Sequence, residues 1–401
     1  MLEVSQRQVL VPLEIDPTPA PPGSRLLALT GSAMGSDWSA RLMLPAGAAL
    51  DVQPALQAEL DLVVAQMSHW DATSLLARYN RAPAGSWHAL PPEFFEVIDY
   101  ALAVQRASGG AYDPAAGALV NLWGFGPAGR YDQAGFYAPA PQAVGAVMER
   151  RRAAQPVLDR DGRRLLQPGG AVLDLSAVAK GYAVDRMALC LERHGVRHYL
   201  VEAGGELRGA GVKMDGQPWW VEIEGVPDAE SAAGAFGTAA AAGTGGASGT
   251  SAAAGTQAQS AVPPLLALHG LAVATSGDYR RFYRPRHAGR RISHTLDPRS
   301  GQPIANGVAS TTVIAATCMA ADALSTALTV LGPRAGLAMA ERDGIAARFL
   351  LRAGSDVAPA DAAPADAAPA DGTAADAGSS SSSSSTGLTE ITSSAWRALL
   401  Q

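Results

Sequence analysis

Cysteine is nearly missing from this chain: there are two in 401 residues, Cys190 and Cys318. That excludes a disulfide framework and points to two inert, buried thiols. Cysteine and histidine never cluster at zinc-ligand spacing, which excludes a structural zinc site. No apolar run reaches the roughly 20 residues that a bilayer span needs. Residues 1–24 hold no basic segment followed by an apolar one, so the sequence reads as lacking a signal peptide and as cytoplasmic. A start codon further upstream would make a periplasmic or inner-membrane-attached protein the alternative. There is no GxxxxGK[ST] and no GxGxxG opening a helix, which removes the P-loop and Rossmann solutions to nucleotide binding. Positive charge is not in excess either. The formal net charge is −6 and gives no reason to expect nucleic acid as a partner.

What is present is enough apolar material, 48% of residues, for a sizeable core. Two segments cannot join it. Residues 229–264 are small, polar and glycine-rich, and residues 355–387 repeat a Pro-Ala-Asp unit before a polyserine run. Neither carries enough apolar surface to offset its ordering entropy, so both are expected to be disordered insertions. Periodic sequence resumes after each. The reading is therefore one domain over 31–401, interrupted twice, behind an N-terminal extension over 1–30.

Helices and strands alternate through the rest. Residues 52–70 place Leu56, Leu60, Val63 and Met67 on one helical face. "PPEFFEVIDYALAVQRASGG" opens with prolines and stops at a glycine pair, which marks a helix. Ser176 is placed as the N-cap of a helix through "AVAKGYAVDRMALCLERHG", with Gly195 as its stop. "RHYLVEAGG", "PWWVEIEG", "LLALHGLAVATSG", "GVASTTVIAAT" and "AARFLLRAG" read as strands. The mixture predicts an α+β fold, an antiparallel-rich sheet with helices packed on it.

Several polar residues stand out against this background. Asp322 lies in the apolar helical stretch "MAADALSTAL", where an ionised carboxylate is costly without a partner. Thr326 follows one turn later on the same face. A hard cation such as Mg²⁺ takes oxygen ligands of this kind. The alternative is a buried aspartate accepting backbone N–H bonds, with Thr326 bonded back to its own helix. Lys180 falls near a helix N-terminus, where a cation opposes the helix dipole and so serves an anion: a phosphate, or Asp174 in an ion pair. "GGAYDPAAGALVNLWGFGP" sets Asp113-Pro114 and aromatic rings among glycines, suited to a ring-stacking site or to an ordinary turn. Thr275, Ser276 and Gly277 crowd donors at a strand end, as an anion nest does. His294 is a candidate general base or a structural histidine. Taken together these residues point to a Mg²⁺-dependent nucleotide enzyme.

The chain also resembles the ApbE family, the FAD:protein FMN transferases, older name thiamine biosynthesis lipoprotein. The resemblance rests on "GSAMGSDW", "MSHWDATSLLARYN", "GGAYDPAAGALVNLWGFGP", "LDLSAVAKGYAVD", "VEAGGELRGAG", "ATSGDYRRFY", "SHTLDPRSGQPI" and "AADALSTALTVLG", in the family's order over about residues 31–332. It implies Mg²⁺-dependent transfer of the FMN moiety of FAD to a threonine hydroxyl of a target flavoprotein, with release of AMP. By resemblance, Asp322, Thr326 and the backbone oxygen of Ala177 are metal ligands. Met34, Trp70, Ala111, Tyr112, Asp113, Asp174, Lys180 and Thr295 fall at FAD-contact positions, and His294 matches the proposed base. Trp70 stands where relatives often have tyrosine, and Ser325 where some have a second carboxylate. The chain has no Ser/Asp-Gly-Ala-Thr acceptor motif of its own, so the acceptor is expected to be another protein. Hydrolysis of FAD to FMN and AMP, or flavin binding without turnover, are the competing expectations.

Overall fold

Period-two patterning sets the centre of the fold. In the strand Ser36–Leu44, Trp38, Ala40, Leu42 and Leu44 face one core while Met43 faces another. This computed structural model describes residues 7–226 apart from 17 and 49, then 263–285, 291–352 and 387–401. Its main sheet has eight strands, ordered Leu388–Thr392, Ala346–Arg352, Val308–Ala315, Leu271–Gly277, Glu206–Ala210, Tyr199–Ala203, Ser36–Leu44 and Arg25–Ala33. Every neighbouring pair is antiparallel. The expected α+β class is therefore found.

Helices cover one face. Gln53–Met67 buries Leu56, Leu60, Val63 and Met67, the four residues that its periodicity selects. Burying each such side chain stabilises the fold by about 1.5–3 kcal/mol. Pro92–Ala107 and Ala179–Arg193 share that core. The helix Cys318–Asp343 packs on the strands beside it and breaks at Gly332, whose φ of 79° precedes Pro333. Pro333 cannot donate to the Thr329 carbonyl, and the Asn306 amide does so instead at 2.8 Å.

The other face carries a smaller core of Leu10, Trp219, Val221, Leu266 and Trp396. "LLALHGLAVATSG", read as a single strand, is two. Gly270, at φ 70°, ends Leu265–Leu268, which joins a three-stranded sheet, and Leu271–Gly277 enters the main sheet. Residues before 31, set apart in the sequence as an extension, are built in: Arg25–Ala33 pairs along Ser36–Leu44, and Val9–Leu10 pairs with Leu265–Leu266. Leu27 and Leu29 pack against the helical core, which is what ties that strand down.

The two expected insertions, 229–264 and 355–387, lie outside the described residues except for 263, 264 and 387. The strands that bracket them are hydrogen-bonded partners: Trp219–Glu222 with Leu265–Leu268, and Ala346–Arg352 with Leu388–Thr392. Among the described residues, no helix is long and apolar enough to cross a membrane. Both cysteines are buried and free.

Candidate active site

The site is made by two helices fastened together. Asp185, on Ala179–Arg193, accepts from the Cys318 and Met319 amides at 2.9 and 2.8 Å. Thr317 accepts from the Ala320 amide, so the first N–H groups of Cys318–Asp343 are all satisfied. Arg208 holds Asp185 in turn, at 2.6 Å. One turn along, the contact runs the other way: the Gly181 amide donates to Asp322 Oδ2 at 3.0 Å. Glycine is required there. A Cβ on Gly181 would stand 2.2 Å from the Cys318 carbonyl oxygen and 2.8 Å from Asp322 Cβ. Because Gly181 donates to Asp322, its amide does not close the i→i−4 bond to Ala177. Among the described residues no backbone hydrogen bond ends on the Ala177 carbonyl.

Asp322 is 4% exposed. Burial pushes its carboxyl up to about 7, with Glu206 adding to the rise and Lys180 opposing it. Lys180 is the second residue of its helix and pairs with the buried Glu206, not with Asp174. Burial pulls its ammonium down, but Glu206 and Asp322 reverse this and hold it above its ordinary value. Glu206 Oε2 is buried without a partner. The Thr326 hydroxyl meets Ser276 Oγ at 2.9 Å instead of its own helix. Ser325 is fully buried between the Asp322 carbonyl and Ser276. Thr275, Ser276 and Gly277 lie inside a strand, with Thr275 bonded to Thr312, so a hydroxyl ladder stands where a nest was expected.

The expected ligands Asp322, Thr326 and the Ala177 carbonyl are all hard oxygen, with a single carboxylate. Among the described residues no group of three or more His, Cys, Asp or Glu side chains could hold a metal. The set fits Mg²⁺, which keeps waters and substrate phosphate oxygens rather than a full protein cage.

His294 Nδ1 lies 3.0 Å from the Arg281 carbonyl, which also accepts the His294 amide. The Nδ1–H tautomer this favours leaves Nε2 as an acceptor. Burial, and then Arg281, lower its pKa to about 4; Lys180 and Arg280 act in the same direction. It is neutral near pH 7 and able to take a proton. Asp174 accepts from Ser176 N and Oγ at 2.9 and 2.6 Å and pairs with His69 at 3.1 Å. Ser176 thus serves Asp174, and Val178 takes the N-cap position expected for Ser176. Burial opposes this ion pair, yet it holds Asp174 well below its ordinary range and raises His69. The His69 ring abuts Trp70, which is 46% exposed and lies under the Arg130 and Arg281 guanidinium groups.

Tyr112 links these halves. Its buried hydroxyl has no partner, and burial followed by the charges of Asp322, Asp174 and Asp113 pushes it far up. Asp113 is fully occupied: Gln105 and the Ala115 amide bond one oxygen at 2.8 Å each, and Arg151 pairs with the other. Arg151 also donates to the Pro298 carbonyl at 2.9 Å, tying this segment to the turn after His294. Ala111 and Thr295, the chain neighbours of Tyr112 and His294, are both buried. Met34, in the left-handed region at φ 53°, forms the hairpin turn with Gly35 and, like Ala177, packs against the core that includes Tyr112.

Sequence reasoning missed Glu206, His69, Arg151 and Arg281. Three of them, Glu206, His69 and Arg281, stand inside the quoted motifs "VEAGGELRGAG", "MSHWDATSLLARYN" and "ATSGDYRRFY", but their partners are distant in the chain. A cavity of about 360 Å³ lined by Pro21, Met43, His194 and His198 contains none of the site residues.

Oxygen-bearing side chains, a paired lysine, a histidine of lowered pKa and a half-exposed tryptophan under two arginines are thus brought together on an α+β fold. The chain belongs to the ApbE family, whose model matches residues 34–349. The FAD:protein FMN transferase of Klebsiella pneumoniae (strain 342) is 32% identical over 341 residues, covering 84% of this chain and 87% of that one. Its namesake in Escherichia coli (strain K12) is 30% identical over 335 residues, covering 82% and 86%. The apo flavinyl transferase ApbE of Pseudomonas stutzeri superposes with a TM-score of 0.70 at 32% identity, covering 94% of this chain and 97% of that one. The flavin transferase ApbE from Vibrio cholerae gives 0.71 at 28% identity, with 94% and 100% coverage.

Proposed function

We propose that this protein is a Mg²⁺-dependent FAD:protein FMN transferase that places FMN on a threonine hydroxyl of an acceptor flavoprotein and releases AMP. The observation that carries the reading is the oxygen cluster of Asp322, Thr326 and Ala177 beside Lys180, with a neutral His294 and an exposed Trp70, in a chain of this family. Trp70 offers a flat face for a ring. Lys180 supplies a cation for pyrophosphate oxygens. His294 Nε2 takes the proton of the attacking hydroxyl, and the Arg281 carbonyl fixes its ring for that role. Asp322, Thr326 and the Ala177 carbonyl would hold Mg²⁺, which supplies charge neutralisation at the pyrophosphate. Met34, Ala111, Tyr112, Asp113, Asp174 and Thr295 complete the proposed flavin surface; Asp113 acts within it by anchoring its own segment to Arg151.

The test is incubation of the full chain with FAD and an acceptor protein carrying a Ser/Asp-Gly-Ala-Thr segment, with Mg²⁺ or with EDTA. Acceptor mass and in-gel flavin fluorescence report the adduct, and chromatography reports AMP. A Mg²⁺-dependent adduct with one AMP per FMN is expected. AMP with free FMN and no adduct would make the protein a pyrophosphatase for FAD. Bound FAD with no AMP would leave a binding protein.

A further inference from the structure

Arg281 differs from most of the arginines around it, Arg284 being the other without a salt bridge among the described residues. Arg280 pairs with Glu224, Arg291 with Asp278, Arg299 with Asp297 and Arg130 with Asp132. No carboxylate among the described residues pairs with Arg281, and its side chain lies against the Trp70 ring, 6.0 Å from the centroid. An aromatic face steadies a guanidinium without neutralising it. The same residue's carbonyl accepts both His294 N and Nδ1 at 3.0 Å, so this cation is covalently tied to the carbonyl that orients the base.

We propose that Arg281 is a further catalytic residue, whose guanidinium binds the transferring phosphoryl group between the Lys180 side of the site and His294. This rests on the transferase reading. In the step, a bond forms between the acceptor threonine Oγ and the FMN phosphorus. The phosphorus–oxygen bond to the adenylate breaks, and its electron pair leaves on the AMP phosphate. The hydroxyl proton passes to His294 Nε2. Negative charge spreads over the phosphoryl oxygens as this happens, and a pre-placed guanidinium outside any salt bridge among the described residues, with the Asp132 carboxylate acting on it only at longer range, stabilises that distribution more than the ground state. Before FAD arrives, the groups facing His294 are Arg281, Lys180 and Arg280, all cationic, with the Phe125 ring at its edge. Lys180 is already paired with Glu206 and Arg280 with Glu224, so Arg281 is the one of the three with no salt bridge among the described residues, left for the pyrophosphate to bind.

Arg284 provides the control, being exposed, three residues away and without a carboxylate partner among the described residues. With FAD, Mg²⁺ and the acceptor protein, Arg281→Ala is expected to lower kcat/KM on the order of 10²-fold, and Arg281→Lys by less. Arg284→Ala should stay within about twofold, since it removes the same charge from an exposed residue that is not among the groups acting on His294. Loss of Arg281 should also move the acidic limb of kcat/KM to higher pH, because the base loses the cation that holds its pKa down. Equal effects of Arg281→Ala and Arg284→Ala would overturn the assignment. So would an intact Arg281→Gln protein with unchanged kcat/KM, which keeps a polar side chain without charge. A parent chain that yields neither AMP nor adduct refutes the transferase reading itself, and this role with it.

Discussion

Gly181→Ala should damage this protein although alanine is the better helix former. The added Cβ would stand 2.2 Å from the Cys318 carbonyl oxygen and 2.8 Å from Asp322 Cβ, and neither is the far end of a flexible side chain. The two helices must separate. Overpacking of this kind costs about 1–3 kcal/mol. Loss of the amide bond to the Asp322 carboxylate adds roughly 1.5–3 kcal/mol. The gain in helix propensity offsets only about 1 kcal/mol. The net is a loss of about 3 kcal/mol, read as a fall in Tm of about 5–10 °C. Turnover should fall further than stability implies, because a displacement of about 1 Å at a positioned group costs on the order of 10²-fold. Thermal melting and AMP release at saturating FAD, assayed below the variant's transition, separate the two effects. A Gly181→Ala protein with parental Tm would mean that the helices do not approach this closely, and that something other than the Gly181 amide holds the Asp322 carboxylate in place.

Three other outcomes are expected. Asp322→Ala should lose Mg²⁺-dependent turnover, and AMP release that still rises with Mg²⁺ would remove Asp322 from the metal set. His294→Ala should bind FAD and fail to transfer FMN; unchanged transfer would take His294 out of the mechanism. In the parent, free His294 is protonated only below about 4, so the acidic limb of kcat/KM should lie near that pH. Bound pyrophosphate raises the pKa of the base, so the limb of kcat should lie higher; coincident limbs would argue against a phosphate beside His294. Arg151→Ala leaves the Asp113 carboxylate buried and unpaired, a loss of about 3–5 kcal/mol in denaturant unfolding. A change below about 1 kcal/mol would show that the 111–115 and 294–298 segments hold together without it.

Local pattern was legible wherever one segment decides its own structure. Leu56, Leu60, Val63 and Met67 repeat at helical spacing and are buried. The strands on either side of the first low-complexity segment, and the one before the second, were recognisable because their apolar residues are dense; Leu388–Thr392, with only Leu388 and Ile391 apolar, was not. What stayed hidden depends on distant partners. Lys180 could be seen to want an anion, but Glu206 lies 26 residues away on a neighbouring strand. Ser176 looks like an N-cap by type, yet Asp174 two residues earlier bonds both its amide and its hydroxyl. The division of "LLALHGLAVATSG" depends on which sheet each half meets, and the break at Gly270 is one left-handed residue. Of the candidate site, the residue types and the Asp322–Thr326 spacing were readable. The Ala177 carbonyl was named only through the family resemblance; that the Gly181–Asp322 contact leaves it free was not readable, because this arises from helix packing.

The charges of the site are arranged in two zones. Inside, Asp322 and Glu206 are two acids facing one ammonium, Lys180, and burial with Glu206 raises the Asp322 carboxyl. Ser325, bonded to the Asp322 carbonyl and Ser276, adds a hydroxyl and no third charge. Outside, Arg281 and Arg280 join Lys180 in opposing protonation of His294. The inner zone holds one acid more than its single ammonium balances, and in the outer zone Arg280 is paired with Glu224 while Arg281 has no salt bridge among the described residues. One ligand corrects both only if a cation and an anionic pyrophosphate arrive together. Asp322 would then favour FAD when Mg²⁺ is present, and the arginines would favour Mg²⁺ when FAD is present. Linkage makes these two effects equal in free energy. The affinity for FAD should therefore rise with Mg²⁺ by the same factor as the affinity for Mg²⁺ rises with FAD, and Asp322→Asn should abolish both together. If that variant kept the Mg²⁺ dependence of FAD binding, the coupling would have to run through the metal–pyrophosphate complex free in solution, not through this carboxylate.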